Sequence, residues 1–427
     1  MNQKKKVEWT KLDNASKIFP ATCSYKDTKV FRFTCELHET VDADILQEAL
    51  DVTIEKFPLY RSVLRRGIFW YYFESSDIKP VVEIESNPIC ASIYFKEKKN
   101  LLFRVFYYNR RISIEVFHAL SDGKGALGFM HTLVSHYLFL KYRDVFAGKI
   151  PQLTVNASIS EKKEDSFEKY FAGGNVFKAI KEIKSINKNK KAYHIKGTRM
   201  EENRIKVIEG SMSAKAVLEE AHSCNTTLTI FITALFMYSI YKHMPALKKD
   251  RPVVLLVPVN LRQFFKSETT RNFFSTISIG YEFEGKSADF IDVINSVSAS
   301  FKKELTEEQM IKHLSRYILL EKNPFTRVAP LPIKDFFIRI ANSVNNRNTT
   351  AAISNLGRIE MPVEFDDYIR QFSVFTGVIR PQISMCTYKD RLVVSFNSPF
   401  GETDIQRTFF NYLTSKGIEI EISTNLP

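Results

Sequence analysis

Apolar and polar residues follow two different periods along this chain, and the two periods predict strands and helices in alternation. Residues 111–117 read RISIEVF, in which Ile112, Ile114 and Val116 share one face, as in a half-buried β-strand. Residues 41–57 and 124–146 instead place apolar side chains at helical spacing, which predicts two amphipathic helices. The alternation continues in both halves of the chain, which predicts an α/β fold with two lobes of similar architecture. Further strands are predicted at residues 69–73, 101–107, 252–258, 351–354, 372–378 and 391–396, and further helices at residues 213–221, 289–320, 333–345 and 404–416.

Length and a change in composition predict the domain boundaries. A chain of 427 residues is long enough for two domains of about 200 residues each. Residues 151–204 differ from their surroundings, because they include a lysine-rich run at residues 178–191 and few large apolar side chains after Phe177. We therefore expect an N-terminal lobe over residues 1–150, a basic inter-domain connection over residues 151–204 and a C-terminal lobe over residues 205–427.

The charge balance restricts the classes of partner. The chain carries 61 Lys and Arg against 48 Asp and Glu, a formal net charge of +13, and such a protein attracts anions. Nucleic-acid binding usually interleaves basic residues with aromatic ones, and residues 178–191 contain no aromatic residue. We therefore expect no nucleic-acid partner. The lysine-rich run is either a solvated face of the connection or a contact for a phosphorylated molecule.

Cysteine usage and the distribution of apolar residues favour a cytoplasmic protein. The five cysteines are scattered and no pair has the spacing of metal ligands, so a reducing compartment and no bound metal are expected. The N-terminal residues are charged and no apolar run follows them, unlike a signal peptide. The longest uncharged stretch, residues 225–241, is shorter than the ~20 apolar residues that a membrane span needs, and it predicts a buried helix.

The candidate chemistry lies where the predicted strand 111–117 meets the helix that follows it. His118, Asp122 and Gly123 form the pattern HxxxDG, and the period of the strand places His118 on its inward face. An imidazole with a pKa near ~6.5 accepts a proton from a hydroxyl or an amine at neutral pH. Asp122 is expected to hold the loop by pairing with a cation, and Gly123 to permit backbone angles that a side chain would forbid.

The motif and several other segments resemble the CoA-dependent acyltransferase superfamily. The segment FHALSDG resembles the active-site motif of that superfamily, which includes chloramphenicol acetyltransferase, the plant BAHD acyltransferases, condensation domains and alcohol O-acetyltransferases. Phe117 stands where condensation domains usually carry a second histidine, and the BAHD motif DFGWG is absent, so the alcohol acetyltransferase branch is favoured. The resemblance extends over nearly the whole chain through FPLYRSVLRRGIFWYYFE (residues 57–74), VPVNLRQFFKSETTRNFFS (residues 257–275) and SNLGRI (residues 354–359).

This resemblance implies a fold, a reaction and a set of site residues. It implies two chloramphenicol-acetyltransferase-like lobes with a tunnel between them, His118 as the general base, and acyl-CoA as a co-substrate without a permanently bound cofactor. It also implies that Asp122 pairs with an arginine, either Arg61 or, as the alternative, Arg262. Donors to the oxyanion or positioning groups for the acceptor are expected from Ser354 and Asn355, unless these two residues only close a turn before Gly357.

The expected reaction is transfer of an acyl group, acetyl by preference, to a small or lipid-like alcohol or amine by a monomeric enzyme without an acyl-enzyme. Two alternatives stay open. One is a condensation-type transferase that takes its acyl group from a carrier-protein thioester, against which Phe117 argues. The other is a catalytically silent member that binds a lipid or a partner protein, against which the intact HxxxDG motif argues.

Overall fold

The structure, a computed structural model, describes residues 8–146, 164–171, 191–283, 289–322 and 328–426, with the backbone alone at residues 171 and 315–322. Most of the predicted connection, including the lysine-rich run, lies outside these residues, so the boundaries at residues 150 and 204 stay predictions. The strands are β1 (Trp9–Lys11), β2 (Val30–Leu37), β3 (Ser62–Arg66), β4 (Tyr71–Ser75), β5 (Val82–Ile84), β6 (Phe103–Tyr108), β7 (Arg111–Phe117), β8 (Lys206–Ser213), β9 (Val253–Asn260), β10 (Phe274–Tyr281), β11 (Ala351–Ile359), β12 (Ile369–Thr376), β13 (Gln382–Tyr388), β14 (Arg391–Ser398) and β15 (Ile420–Thr424).

Helices cover the strands in both halves of the chain. The predicted helix at residues 289–320 is two helices, Phe290–Glu304 and Glu307–Lys322, which are separated at Leu305 and Thr306. The helices are α1 (Ile18–Thr22), α2 (Ala43–Glu55), α3 (Gly123–Lys141), α4 (Ser166–Phe171), α5 (Ala214–Ser223), α6 (Leu228–Lys242), α7 (Phe290–Glu304), α8 (Glu307–Lys322), α9 (Leu331–Arg347) and α10 (Asp404–Ser415).

Two large sheets organise the two lobes. The first has the strand order β12-β2-β7-β6-β5, and the second has the order β10-β9-β11-β13-β14-β8-β15. In the second sheet β11 runs parallel to both β9 and β13, whereas the other pairs are antiparallel. A third sheet of three strands, in the order β1-β4-β3, lies beside the first lobe. The predicted two-lobed α/β fold is confirmed.

One late strand joins the sheet of the first lobe. Residues 369–376 of β12 pair in antiparallel register with β2, and the side chains of Phe372, Val374 and Phe375 enter the apolar core beneath that sheet. The same core receives side chains from α2 and α3, because both helices turn their apolar faces toward it. The polypeptide therefore crosses between the lobes, and the site lies near the end of β7, in the middle of the first sheet.

The uncharged stretch at residues 225–241 forms the buried helix that its composition predicts. Phe231 to Met237 of α6 are all buried in the core of the second lobe, and Thr227 caps its first turn. In the described part of the chain, no single helix is long and apolar enough to cross a membrane. Among the described helices, α5 and α6 taken together reach that length and composition, and the two are bent by 79° relative to each other.

Candidate active site

His118 follows the last residue of β7 and lies in a shell of aromatic rings. Its ring stacks on Phe19 of α1 with centroids 4.3 Å apart, and it meets Phe31 of β2 edge-on at 5.0 Å. Phe274, the first residue of β10, lies 5.4 Å away at a tilt. The backbone N–H of His118 donates to the carbonyl of Lys29 at 2.8 Å, which fixes the start of the turn. The imidazole is thus held between residues of both lobes.

A side-chain amide from the second half of the chain determines which nitrogen of His118 is free. The Nδ1 atom of His118 lies 3.1 Å from Oδ1 of Asn272, and Nδ2 of Asn272 donates to the backbone carbonyl of His118 at 2.8 Å. Because a backbone carbonyl can only accept a hydrogen bond, the atom of Asn272 that faces the carbonyl of His118 must be Nδ2, and this fixes the orientation of the amide. Its Oδ1 must then accept from Nδ1, which therefore carries the proton. The Nε2 lone pair is left available to accept a proton, and Nε2 has no hydrogen bond within the described residues.

A second layer holds Asn272 in turn. Its Nδ2 also donates to the hydroxyl of Ser16 at 2.8 Å, and that hydroxyl donates to Asp13 at 2.7 Å. Asp13 is buried, which raises the pKa of its carboxyl, while the positive charge of Arg271 opposes the rise. A chain of side chains therefore runs from the N-terminal segment through the loop before β10 to His118.

Burial lowers the pKa of His118 below its ordinary value. Loss of solvent around the ring is the largest cause, and the hydrogen bond to the backbone of His118 itself, the charge of Asp122 and the hydrogen bond to Asn272 oppose it in part. The imidazole is consequently neutral at pH 7, in the tautomer with a free Nε2. This is the state that a general base requires.

Asp122 caps α3 and forms an ion pair with Arg262. Its carboxylate accepts from the backbone N–H of Gly125 at 2.9 Å, from the backbone N–H of Phe273 at 2.9 Å and from Nη1 of Arg262 at 2.7 Å. The alternative partner named from the sequence is therefore the correct one. The expectation that Arg61 pairs with Asp122 is wrong, because Arg61 ends the short turn after α2 and binds the exposed Glu55 at 2.7 Å.

Arg262 connects the motif to the loop at residues 269–273. Its Nη2 donates to the backbone carbonyls of Thr269 at 2.8 Å and Arg271 at 2.9 Å, while the same guanidinium binds Asp122. Both side chains of the ion pair are almost fully buried, with exposed fractions of 9% and 6%. The ion pair thus fixes the loop that carries Asn272. Asn272 was not selected from the sequence, although it lies in the segment 257–275 that resembles the alcohol acetyltransferases.

Gly123 and Gly125, which follow Asp122, lie where a side chain would not fit, and neither has a positive φ. Gly123 does not have a positive φ, so the expected reason for its presence is wrong. A Cβ atom at Gly123 would lie 2.9 Å from Cδ2 of Leu356, in the SNLG segment of the second lobe. At Gly125, which was not predicted from the sequence, a Cβ atom would lie 2.1 Å from the carbonyl oxygen of Thr270. The start of α3 therefore packs directly against two segments of the other lobe.

The SNLG segment approaches the motif through Leu356, while its polar residues have other contacts. Asn355 donates through Nδ2 to the hydroxyl of Thr229 at 2.8 Å and accepts from the backbone N–H of Gly357 at 2.8 Å. Gly357 has a φ of +75°, a region that favours glycine, so Asn355 closes a turn. In the described residues neither Ser354 nor Asn355 forms a hydrogen bond with His118. Their assignment to the oxyanion stays a prediction.

A basic groove of about 580 Å³ lies beside the end of α1. Four cations line it, namely Lys96, Arg339, Arg347 and Arg380, and no carboxylate is among its described lining residues. The guanidinium of Arg339 donates to the backbone carbonyl of Ala21 at 2.7 Å, which joins α9 to α1. Burial lowers the pKa of Arg380, because its charge is desolvated. This groove is suited to an anion.

Comparison with solved structures shows a shared fold at low sequence identity. Polyketide synthase associated protein 5 from Mycobacterium tuberculosis matches with a TM-score of 0.63 and 14% identity, over 95% of this chain and 97% of that chain. Trichothecene 15-O-acetyltransferase from Fusarium sporotrichioides matches with a TM-score of 0.61 and 9% identity, over 97% and 96%. A mutant starter condensation domain of rhizomide synthetase in complex with C8-CoA matches with a TM-score of 0.64 and 12% identity, over 95% and 94%.

Sequence comparison identifies the family. No curated protein sequence matches this chain. The family model described as alcohol acetyltransferase matches residues 148–386, which is more than half of the chain and includes Arg262, Asn272 and the SNLG segment. The fold, the half-buried histidine with its free Nε2 and this match agree with one another, and the chain belongs to the alcohol acetyltransferase family.

Proposed function

We propose that this protein transfers an acyl group, acetyl by preference, from acyl-CoA to the hydroxyl or amine of a small or lipid-like acceptor. The observation that carries the proposal is the contact between Asn272 and Nδ1 of His118, which leaves Nε2 as the free proton acceptor. The fold that this chain shares with an acetyltransferase and with a domain crystallised with C8-CoA supports the same reaction. A reducing cytoplasmic location and a monomeric state remain part of the proposal.

The proposed reaction needs no acyl-enzyme. Nε2 of His118 takes the proton of the acceptor as the acceptor oxygen or nitrogen attacks the thioester carbonyl. The tetrahedral intermediate then collapses, the carbon–sulfur bond breaks, and the proton returns to the departing thiolate. The ester or amide and free CoA are the products. Donors to the oxyanion are each worth ~3 kcal/mol in a well-formed site, and Ser354 is our candidate from the second lobe.

The basic groove is the proposed site for the phosphates of the donor. Phe19 of α1 stacks on His118, and residues 21–24, which are the end of α1 and the two residues after it, line the groove. The two contacts are therefore only a few residues apart in the chain. A thioester at His118 with its phosphorylated end in the groove would therefore pass α1. Arginine is suited to phosphate because its planar guanidinium donates two parallel hydrogen bonds.

A thiol-release assay with acetyl-CoA and a panel of alcohols and amines tests the reaction. We expect acceptor-dependent release of CoA, and a loss of about a hundredfold to ten-thousandfold in kcat for His118→Ala, in a protein that still unfolds cooperatively. His243→Gln, a change at an exposed histidine that binds Thr408, is the matched control and should keep full activity. Near-normal turnover by His118→Ala would refute the mechanism. Turnover with acyl carrier protein alone would favour the condensation-type alternative.

Two acyl donors, one with phosphates and one without, test whether the groove binds the phosphates of the donor. Arg380→Gln should raise KM for acetyl-CoA by about tenfold and leave KM for S-acetyl-N-acetylcysteamine, a thioester without phosphates, unchanged. Arg407→Gln removes the same charge from the exposed face of α10 and should change neither value. Equal effects on both donors would show that Arg380 acts on the site in another way than by binding phosphate.

A further inference from the structure

The helix α9 turns an apolar face away from the protein. Ile333, Phe336, Phe337, Ile340 and Val344 recur at intervals of three and four residues, so they form one stripe along the helix. All of them are exposed, Phe336 by 59% and Phe337 by 63% of their surface. An amphipathic helix at the surface of a globular protein normally turns such a stripe toward the core, and here the stripe faces outward.

A neighbouring turn extends this stripe into a larger surface. Ile68, Phe69 and Trp70 lie between β3 and β4, and each is exposed. The carbonyl of Ile68 accepts from the backbone N–H of Leu331 at 2.8 Å, and the carbonyl of Phe69 accepts from Nζ of Lys334 at 2.8 Å. These bonds hold the turn against the first turn of α9. We refer to the five stripe residues and the three turn residues together as the apolar face.

The polar side of α9 and its charge indicate what covers the apolar face. The helix carries Lys334, Arg339 and Arg347 against one acidic residue, Asp335. Asp335 is buried and accepts a hydrogen bond from the hydroxyl of Tyr71 at 2.7 Å, so it does not offset the cations at the surface. A helix with an excess of basic residues and a stripe of phenylalanine and isoleucine, with a tryptophan beside it, has the composition of a helix that lies in a membrane interface.

We propose that the apolar face binds peripherally to a lipid surface with anionic headgroups. Phenylalanine, isoleucine and tryptophan would enter the boundary between headgroups and acyl chains, and Lys334, whose Nζ lies beside the turn that carries Phe69, would contact the headgroups. The net charge of +13 favours the same surface. This inference is independent of the proposed reaction, although it would bring the groove beside α9 close to a lipid.

Tryptophan fluorescence and vesicle sedimentation test the proposal. The chain contains two tryptophans, so Trp9→Phe leaves Trp70 of the apolar face as the only indole. With vesicles of phosphatidylcholine and phosphatidylserine we expect a blue shift of Trp70 emission and co-sedimentation of the protein. Both signals should be weaker with phosphatidylcholine alone and should fall as salt is added.

Substitution of the two phenylalanines identifies the surface that binds. The double variant Phe336→Ser with Phe337→Ser should lower the vesicle partition by about tenfold or more, because it removes two apolar side chains from the interface. Leu247→Ser with Val363→Ser, a change at two residues that are also exposed, is the matched control and should bind as the parent does.

Three results would overturn the proposal. The first is the absence of both the blue shift and the sedimentation in the Trp9→Phe protein, which needs no destabilising change. The second is equal binding by the two double variants. The third is a dimer in light scattering that dissociates in Phe336→Ser with Phe337→Ser, because a second copy of the chain would then be the occupant of the apolar face.

Discussion

The ion pair between Asp122 and Arg262 should be worth far more than its counterpart on the surface. One set comprises the parent protein, Asp122→Ala, Arg262→Ala and their double variant. The matched set comprises the parent protein, Arg61→Ala, Glu55→Ala and their double variant. The first pair is almost fully buried, whereas the side chains of Arg61 and Glu55 are 36% and 68% exposed. Both sets remove one carboxylate and one guanidinium, so the comparison isolates burial and the additional hydrogen bonds.

The structure gives the size of the expected effect. Loss of the Asp122 carboxylate removes the cap of α3, worth about 1 kcal/mol, and leaves the buried N–H of Phe273 without its acceptor, which costs about 1–3 kcal/mol. It also leaves the charge of Arg262 unpaired. We therefore expect Asp122→Ala to lower the free energy of unfolding by about 3–5 kcal/mol. Arg262→Ala should cost about 3 kcal/mol, because two backbone donors remain on the carboxylate.

Urea denaturation of the four proteins in each set measures these values, with the slope m checked for constancy. The double variant should be less destabilised than the sum of the single variants by about 2 kcal/mol or more, because each single change already breaks the pair. The Arg61 and Glu55 set should show changes below about 1 kcal/mol. If Arg262→Ala costs no more than Arg61→Ala, or if the two buried changes are additive, the pair does not hold the loop and our account of the site is wrong.

Three further results are expected. Asn272→Asp places a carboxylate against Nδ1 of His118 and raises its pKa, so the acidic limb of the pH–rate profile should move to higher pH; an unchanged limb would contradict the contact. Gly125→Ala should destabilise the protein by about 1–3 kcal/mol in thermal unfolding, whereas Gly128→Ala, on the same helix with open space at its Cβ position, should stabilise it by about 0.5–1 kcal/mol. Burial lowers the pKa of His136 to about 4, so the unfolded chain binds more protons than the folded chain between pH 6.5 and 4, and stability should fall as the pH falls through that window. His136→Gln should reduce the fall by about 2 kcal/mol or less, because solvent screens part of the effect and because His131, whose pKa is lowered in the same way, still contributes.

The parts of the site that are local in sequence were predictable. The period of two at residues 111–117 and the helical spacing after residue 123 correspond to β7 and α3, so the position of His118 between them followed from the pattern alone. The need for a cation at Asp122 also followed, since a buried carboxylate requires a partner. Which arginine supplies it did not, because Arg61 and Arg262 differ only in where the fold places them.

The parts that depend on distant contacts were not predictable. Asn272 lies 154 residues from His118, and nothing in its local sequence marks it as a partner of a histidine. The strand β8 was not predicted because its sequence, KVIEGSMS, has Glu209 and Gly210 in the middle. In the structure Glu209 is buried and accepts a hydrogen bond from Nε2 of Gln371. The sequence of β12 predicts a strand but not the sheet that the strand joins, because that depends on its pairing with β2.

The geometry of the base depends on segments that are far apart in the chain. Asn272 accepts from the ring of His118 and is itself held by Ser16, while Asp122 and Arg262 fix the loop that carries Asn272. A buried ion pair adds little net stability over an apolar pair of the same volume, since desolvation offsets most of the attraction. The ion pair instead holds the loop at residues 269–273 in place, because the guanidinium of Arg262 donates to two loop carbonyls to which an apolar side chain could not bind. His118 therefore has the tautomer of a general base only when the N-terminal segment, the motif and the loop before β10 are all in place.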